Sequence, residues 1–389
     1  MTQALKVFLV AGEVSGDRLG GALMQGLKSL VGEVTFAGIG GEMMQAQGLS
    51  SQFPMEELSV MGLAEILPKY FHLKRRIRET AQAAIAWQPD VVITIDAPDF
   101  SLRVAALVKA GSSIPTIHYV APSVWAWRPK RAAKMAKVVD HVLALLPFEP
   151  PYMQAAGMTC DFVGHPVVTE PKATEADVAA FRAAFDLGTA PIALILPGSR
   201  RGEVTRLGPV FGQAVAQIAK DRPDLRFVLP VARPVADLVA QTVADWPVHP
   251  VLLDPRQIDD PELIKRAAFR AADVALAASG TVSLELAAAR TPMVIAYQFS
   301  ALTQMIMKRM LLIDTVTLVN LVSDTRHIPE FLAENCRAEA IAPAVVAVLD
   351  HPDAQQAAMA VTMERLGEGG EAPGLRAARS VLAKLGASR

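Results

Sequence analysis

Short apolar runs, each followed by a turn residue and then a longer helical pattern, recur along almost the whole chain, and few folds accept that rhythm. The first series is Val7–Ala11, Val34–Ala37, Val91–Ile95, Thr116–Val120 and Val142–Leu146. Runs of four to six residues rich in Val and Ile read as strands buried on both faces. Their alternation with helices predicts a parallel α/β sheet. Between Gly164-His165-Pro166 and Lys172 the composition turns to Pro, Thr and Glu, and a polar helix follows at Glu175–Phe185. The rhythm then restarts at Ile192–Leu196 and continues through Arg226–Pro230, Val251–Leu253, Val274–Ala277 and Met293–Ala296. Two doubly wound, Rossmann-like domains facing one another across a cleft are expected, over 1–168 and 169–345. Residues 346–389 read as C-terminal helices that cross back to the first domain. Ligands of such sheets sit beyond the carboxyl ends of the strands, so the loops there carry the search for function.

A chain of 389 residues exceeds what one core usually organises, which agrees with two domains. With 52% hydrophobic residues and 38 basic against 39 acidic side chains, it is neither a disordered chain nor a nucleic-acid coat. Two cysteines, Cys160 and Cys336, make neither a disulfide framework nor a four-cysteine zinc site, and suit a reducing compartment. No signal peptide opens the chain and no run approaches the ~20 apolar residues of a spanning helix. A cytoplasmic protein is expected, on the membrane surface at most.

Several motifs are missing. There is no G-x-x-x-x-G-K-[ST] loop, no G-x-G-x-x-G after the first strand and no H-E-x-x-H. Gly38-Ile39-Gly40-Gly41 lacks the third glycine and reads as a turn. No Asp-x-Asp occurs, so the metal clamp of one large group of sugar transferases is absent. No cofactor or metal is expected.

Two loops have the form of anion sites. Pro197-Gly198-Ser199-Arg200-Arg201-Gly202-Glu203 leaves a buried strand and opens a helix, where free N–H groups and the dipole favour phosphate. Gly198 would admit the phosphate, Ser199 adds a hydroxyl and Arg200 a planar fork. An ordinary βα turn with surface arginines is the alternative. Ala278-Ser279-Gly280-Thr281 repeats the pattern, with Glu285 one turn in, placed to accept from ribose hydroxyls. A capped helix with a dipole-complementing glutamate is the alternative there. Two such starts in one domain point to a nucleotide diphosphate.

In the first domain Asp96 leaves an apolar strand straight into the expected cleft, where desolvation favours general-base work. Asp99 reads as the structural member of the pair, a cap. Trp125-Ala126-Trp127-Arg128 places two of four tryptophans beside a basic helix (Arg128, Lys130, Arg131, Lys134, Lys137). Aromatic walls suit sugar rings and acyl chains, and the cations suit phosphate; core tryptophans beside a solvated helix face are the alternative. His118 and His165 could serve as acid, base or donor, although a lone histidine is more often structural. Leu63, Ile66, Leu67, Tyr70 and Phe71 form an amphipathic stripe, followed by Lys69, Lys74, Arg75, Arg76 and Arg78, suited to an anionic membrane surface. Pro68 predicts two short helical pieces. Lys308 and Arg309 in the Met-rich segment 302–312 could add to that surface.

The ordered strings Ala11–Asp17, Met55–Leu58 with Val60-Met61-Gly62, Ile95–Phe100, Ile117–Trp127, Leu145–Glu149, Gly164-His165, Leu196–Arg200, Ala278–Thr281 with Glu285, and Asn320-Leu321 together resemble lipid-A-disaccharide synthases. The resemblance spans nearly the whole chain; Val14 stands where many relatives carry Thr, and 233–261 matches least. It implies an inverting, metal-independent glycosyltransferase of the GT-B type on the cytoplasmic face of a Gram-negative inner membrane. The implied substrates are UDP-2,3-diacylglucosamine and 2,3-diacylglucosamine 1-phosphate, joined β-1,6 with release of UDP. It also implies Asp96 as base and Arg200 in the leaving-group clamp, with Gly198, Ser199, Ser279, Gly280, Thr281, Glu285 and Asn320 around the donor. Ser15, Asp99, Trp125, Trp127 and Arg128 fall to the acceptor. Another UDP-sugar enzyme of the same fold, such as an undecaprenyl-linked transferase or a UDP-N-acetylglucosamine 2-epimerase, would keep the second-domain loops. It would not keep Trp125–Trp127 and Ile95–Phe100. A non-catalytic lipid- or nucleotide-binding protein would need neither base nor clamp.

Overall fold

A computed structural model describes residues 4–58, 63–127, 129–299 and 313–386, with the side chains of 63–69 outside the description. The chain divides into two compact units, residues 1–169 with 366–389, and residues 170–365.

The first unit holds a six-stranded parallel sheet of β1 (Leu5–Ala11), β2 (Val34–Ile39), β3 (Val91–Ile95), β4 (Thr116–Tyr119), β5 (His141–Ala144) and β6 (Thr159–Phe162). The strand order is β2-β1-β3-β4-β5-β6. β3 is buried along its whole length and β1 along its last five residues, because helices cover both faces. The order reverses between β1 and β3, which pair from Val7↔Val91 to Ala11↔Ile95. The loops leaving those two strands therefore start side by side at a topological switch point.

The second unit repeats the plan with β7 (Ile192–Leu196), β8 (Arg226–Pro230), β9 (Val251–Leu253), β10 (Val274–Ala278), β11 (Met293–Tyr297) and β12 (Glu330–Leu332). The order β12-β11-β10-β7-β8-β9 reverses between β7 and β10. The loops after these two strands are the two anion-site candidates. β6 and β12, both at sheet edges, were not legible as strands.

The C-terminal helices return later than expected. Residues 346–365 stay with the second unit, where Gln355 Oε1 accepts from Met293 N–H at 2.7 Å and Thr362 bonds the Val319 carbonyl. Only helix Pro373–Gly386 joins the first core, burying Ala377, Ala378, Val381 and Leu385.

Pro68 does not split the helix before β3, which runs unbroken over Leu63–Trp87. Pro68, the sixth residue of that helix, costs it one intrahelical bond without ending it. Arg76, expected among the membrane-facing cations, instead forks onto Glu57 at 2.8 and 2.9 Å. No described helix is long and apolar enough to cross a membrane.

Candidate functional site

Beyond the carboxyl ends of β3 and β4 lies a cavity of about 360 Å³, lined by Asp96, His118, Ser123, Trp127, Arg131 and Lys134 among others. Its rim is built from backbone that side chains avoid. Asp96 and Ala97 have φ of 49° and 44°, and Val120, β-branched, has 84°. Such residues cost on the order of 1–3 kcal/mol each and cluster at functional sites. The turns are held by Asp96 N–H to Tyr119 O and Val120 N–H to Leu143 O, both 3.0 Å.

Asp96 is half-buried, less enclosed than the strand before it suggested, and among the described residues its carboxylate has no hydrogen bond or ion pair. Asp99 is exposed in the first turn of helix Pro98–Gly111 and does not cap it; the cap position is Ala97. It complements the helix dipole. Ser15 is exposed in the first turn of helix Val14–Val31, beyond β1.

Trp125 is not a wall of the cavity. It is 8% exposed, its indole N–H donates to Glu149 Oε1 at 3.3 Å, and its ring meets Phe148 edge-on at 5.1 Å. Burial pushes the Glu149 carboxyl up to about 7, against the bonds donated by Leu146 N–H and Trp125. Trp127 does line the cavity, and Arg128 lies outside the described residues.

His118 faces this cavity too. Its Nδ1 is 2.7 Å from Thr94 Oγ1, and burial pushes its pKa down to about 4, so the ring is neutral at pH 7. Arg131 and Lys134 come from helix Lys130–Met135, one turn apart on one face. Helical spacing within the basic run was the signal that could have singled them out.

In the second unit the two helix starts differ. At helix Arg201–Asp221 the protein fills its own anion site: Glu203 Oε2 accepts from Ser199 N–H at 3.1 Å and Arg200 N–H at 3.2 Å. Gly198, at φ 113°, is glycine because a Cβ would lie 2.5 Å from that same oxygen. The expectation that Gly198 clears room for phosphate is thereby corrected. Arg200 itself reaches outward, with 66% of its side chain exposed, and touches Glu203 at 3.5 Å.

The start at Val282–Ala289 is open. Gly280 has φ 158°, and beyond its chain neighbours no described atom lies within 4 Å of the place a Cβ would take, so a ligand can approach its backbone. Ser279 is half-buried and Thr281 exposed beside it. Glu285, one turn in, is held by Lys265 Nζ at 2.5 Å. Asn320 is no free donor contact: it is buried, and its amide is used by Thr315 Oγ1 and by both backbone groups of Ile328. It fixes the loop around helix Leu318–Ser323.

Tyr70 and Phe71 are 44% and 81% exposed and pack edge-on at 5.6 Å. The side chains of Leu63, Ile66, Leu67 and Lys69, and all of 302–312, lie outside the described residues.

Comparison with known proteins agrees with this architecture. Among solved structures, the UDP-GlcNAc 2-epimerase of Neisseria meningitidis bound to UDP-GlcNAc superposes with a TM-score of 0.64 at 12% identity, covering 98% of this chain and 99% of that one. Such a likeness carries the two-domain GT-B fold and no more. The lipid-A-disaccharide synthase of Ruegeria pomeroyi is 67% identical over 383 residues, 98% of this chain and 96% of its own length. That of Rhodospirillum centenum is 47% identical over 97% of this chain and 94% of its own. The family model for lipid-A-disaccharide synthetase matches residues 7–383. The chain belongs to the lipid-A-disaccharide synthase family.

Proposed function

We propose that this glycosyltransferase joins UDP-2,3-diacylglucosamine to 2,3-diacylglucosamine 1-phosphate, inverting the anomeric carbon and using no metal. The observation that carries the reading is the Asp96 carboxylate, without an ion pair among the described residues and set in a strained turn that lines a cavity also holding two cations. The first unit takes the acceptor. Asp96 removes the proton of the acceptor 6-hydroxyl as that oxygen bonds to the anomeric carbon of the donor. The bond from that carbon to the diphosphate breaks, and its electron pair leaves with UDP.

The second unit takes the donor. The open start at Gly280 offers backbone N–H groups to the diphosphate, Glu285 accepts from the ribose, and the exposed Arg200 meets the charge gathering on UDP. Gly198, Ser199 and Glu203 shape the loop that carries Arg200. The missing Asp-x-Asp supports stabilisation of UDP without metal.

UDP release measured with and without the acylated acceptor tests the reading. Release that depends on the acceptor, with a disaccharide 1-phosphate formed, is the expected result. Epimerised UDP-sugar, or UDP binding with no turnover, would hand the site to one of the other classes. Arg200→Ala is expected to lose ~2 to 4 kcal/mol of transition-state stabilisation in kcat/KM; unchanged kinetics would remove Arg200 from the clamp.

The protein is proposed to lie on the cytoplasmic face of the inner membrane through Tyr70 and Phe71, with exposed Lys74 and Arg78 beside them. Tyr70→Ser with Phe71→Ser should leave the fold intact and weaken sedimentation with anionic liposomes. Undiminished binding would place the contact elsewhere.

A further inference from the structure

The same cavity carries more positive charge than its base requires. Arg131 and Lys134 enter it from one face of helix Lys130–Met135, and Asp96 enters from the turn after β3. Among the described residues none of the three makes an ion pair, with each other or with any other group. Carboxylate and cations thus stand apart within one cavity, although opposite charges free to meet would pair. His118 adds no third charge, because burial keeps its ring neutral.

We infer that Arg131 and Lys134 form the subsite that holds the phosphate of the acceptor, while Asp96 faces the reacting hydroxyl. This rests on the reading of the cavity as the acceptor site. The charges fit. A phosphate monoester carries about −1.5 to −2 at pH 7, which two cations neutralise without engaging Asp96. Arg131 offers a planar fork and Lys134 a point charge, the two ways a phosphate is gripped. The chemistry also requires separation: a cation paired with Asp96 would hold its carboxylate as a weaker base. A glucosamine 1-phosphate carries its anion and its 6-hydroxyl on different sides of the ring. It can therefore lie between the two groups, and the phosphate fixes which hydroxyl reaches the base.

The experiment compares the wild type with Arg131→Gln/Lys134→Gln in neutral-detergent micelles, using two acceptors: diacylglucosamine 1-phosphate and the same lipid without phosphate. In the double variant the KM for the phosphorylated acceptor should rise about 30-fold or more. The kcat and the KM for the UDP-sugar should change less than about threefold, and unchanged UDP affinity shows that the variant is folded. Turnover of the phosphate-free acceptor should be the same in both proteins. Arg131→Lys and Lys134→Arg, which keep the charge, should stay within about tenfold of the wild type.

Equal loss on both acceptors, or an unchanged KM for the phosphorylated one, overturns the assignment. So does a defect seen only on vesicles containing phosphatidylglycerol and absent in micelles, since the cations would then read lipid headgroups. A wild type that makes disaccharide from neither acceptor would sink the parent reading instead, and is recognised before any variant is made.

Discussion

Asp96→Asn should lose about 10²-fold or more in turnover while binding UDP-sugar and acceptor normally. The substitution keeps the shape of a side chain that has no hydrogen bond or ion pair among the described residues, so it removes basicity and little else. The strained turn at Asp96 and Ala97 should persist, because its backbone bond to Tyr119 does not involve the side chain. Asp99→Asn is the control. Asp99 is exposed in a first helical turn, where a lost dipole interaction costs a few tenths of a kcal/mol to about 1. Single-turnover assays on both variants decide: a crippled Asp99→Asn beside a near-normal Asp96→Asn would exchange the two roles.

What the sequence made legible follows from what apolar patterning can report. Central strands such as β3 and β10 are buried along every residue, and a short run made almost wholly of apolar residues announces them. Edge strands β6 and β12 are short and only partly covered, so Thr159–Phe162 and Glu330–Leu332 keep polar residues that hide them. Motif strings located the right loops but not the partners within them. Gly198-Ser199-Arg200 has the composition of a phosphate loop, yet Glu203 satisfies its amides, a bond that composition cannot distinguish from an open site. Trp125 and Trp127 are two apart, and only the fold decides that one is tied to Glu149 while the other lines the cavity. Asn320 and Arg76 fail for the same reason: each polar group is consumed by a partner distant enough in sequence to leave no periodic trace.

Acid should weaken the first unit through buried histidines, and the size of the effect depends on one opposing carboxyl. Burial pushes His118 and His165 down to about 4, and His141 is lowered in the same way between Thr159 and Ser380. An unfolded histidine takes its proton near 6.5. Between about 6.5 and 4 the unfolded chain therefore binds more protons than the folded one, and stability present above 6.5 is lost as pH falls. From pH 6.5 to 5 this amounts to about 2 kcal/mol each for His118 and His165. Glu149 works the other way. Its carboxyl, pushed up to about 7, is protonated in the folded state before the unfolded chain takes that proton near 4.5. Over the same window it returns about 2 kcal/mol. Trp87, Trp125 and Trp127 lie in the first unit and only Trp246 in the second, so tryptophan fluorescence chiefly follows the first. Urea unfolding followed in this way should show a net loss of about 2 kcal/mol or more between pH 6.5 and 5. Glu149→Gln removes the opposing proton and should roughly double that loss, whereas His118→Gln should nearly cancel it. Identical pH dependence in all three proteins would mean that neither buried group changes protonation on unfolding, and would remove the neutral His118 from the account of the cavity.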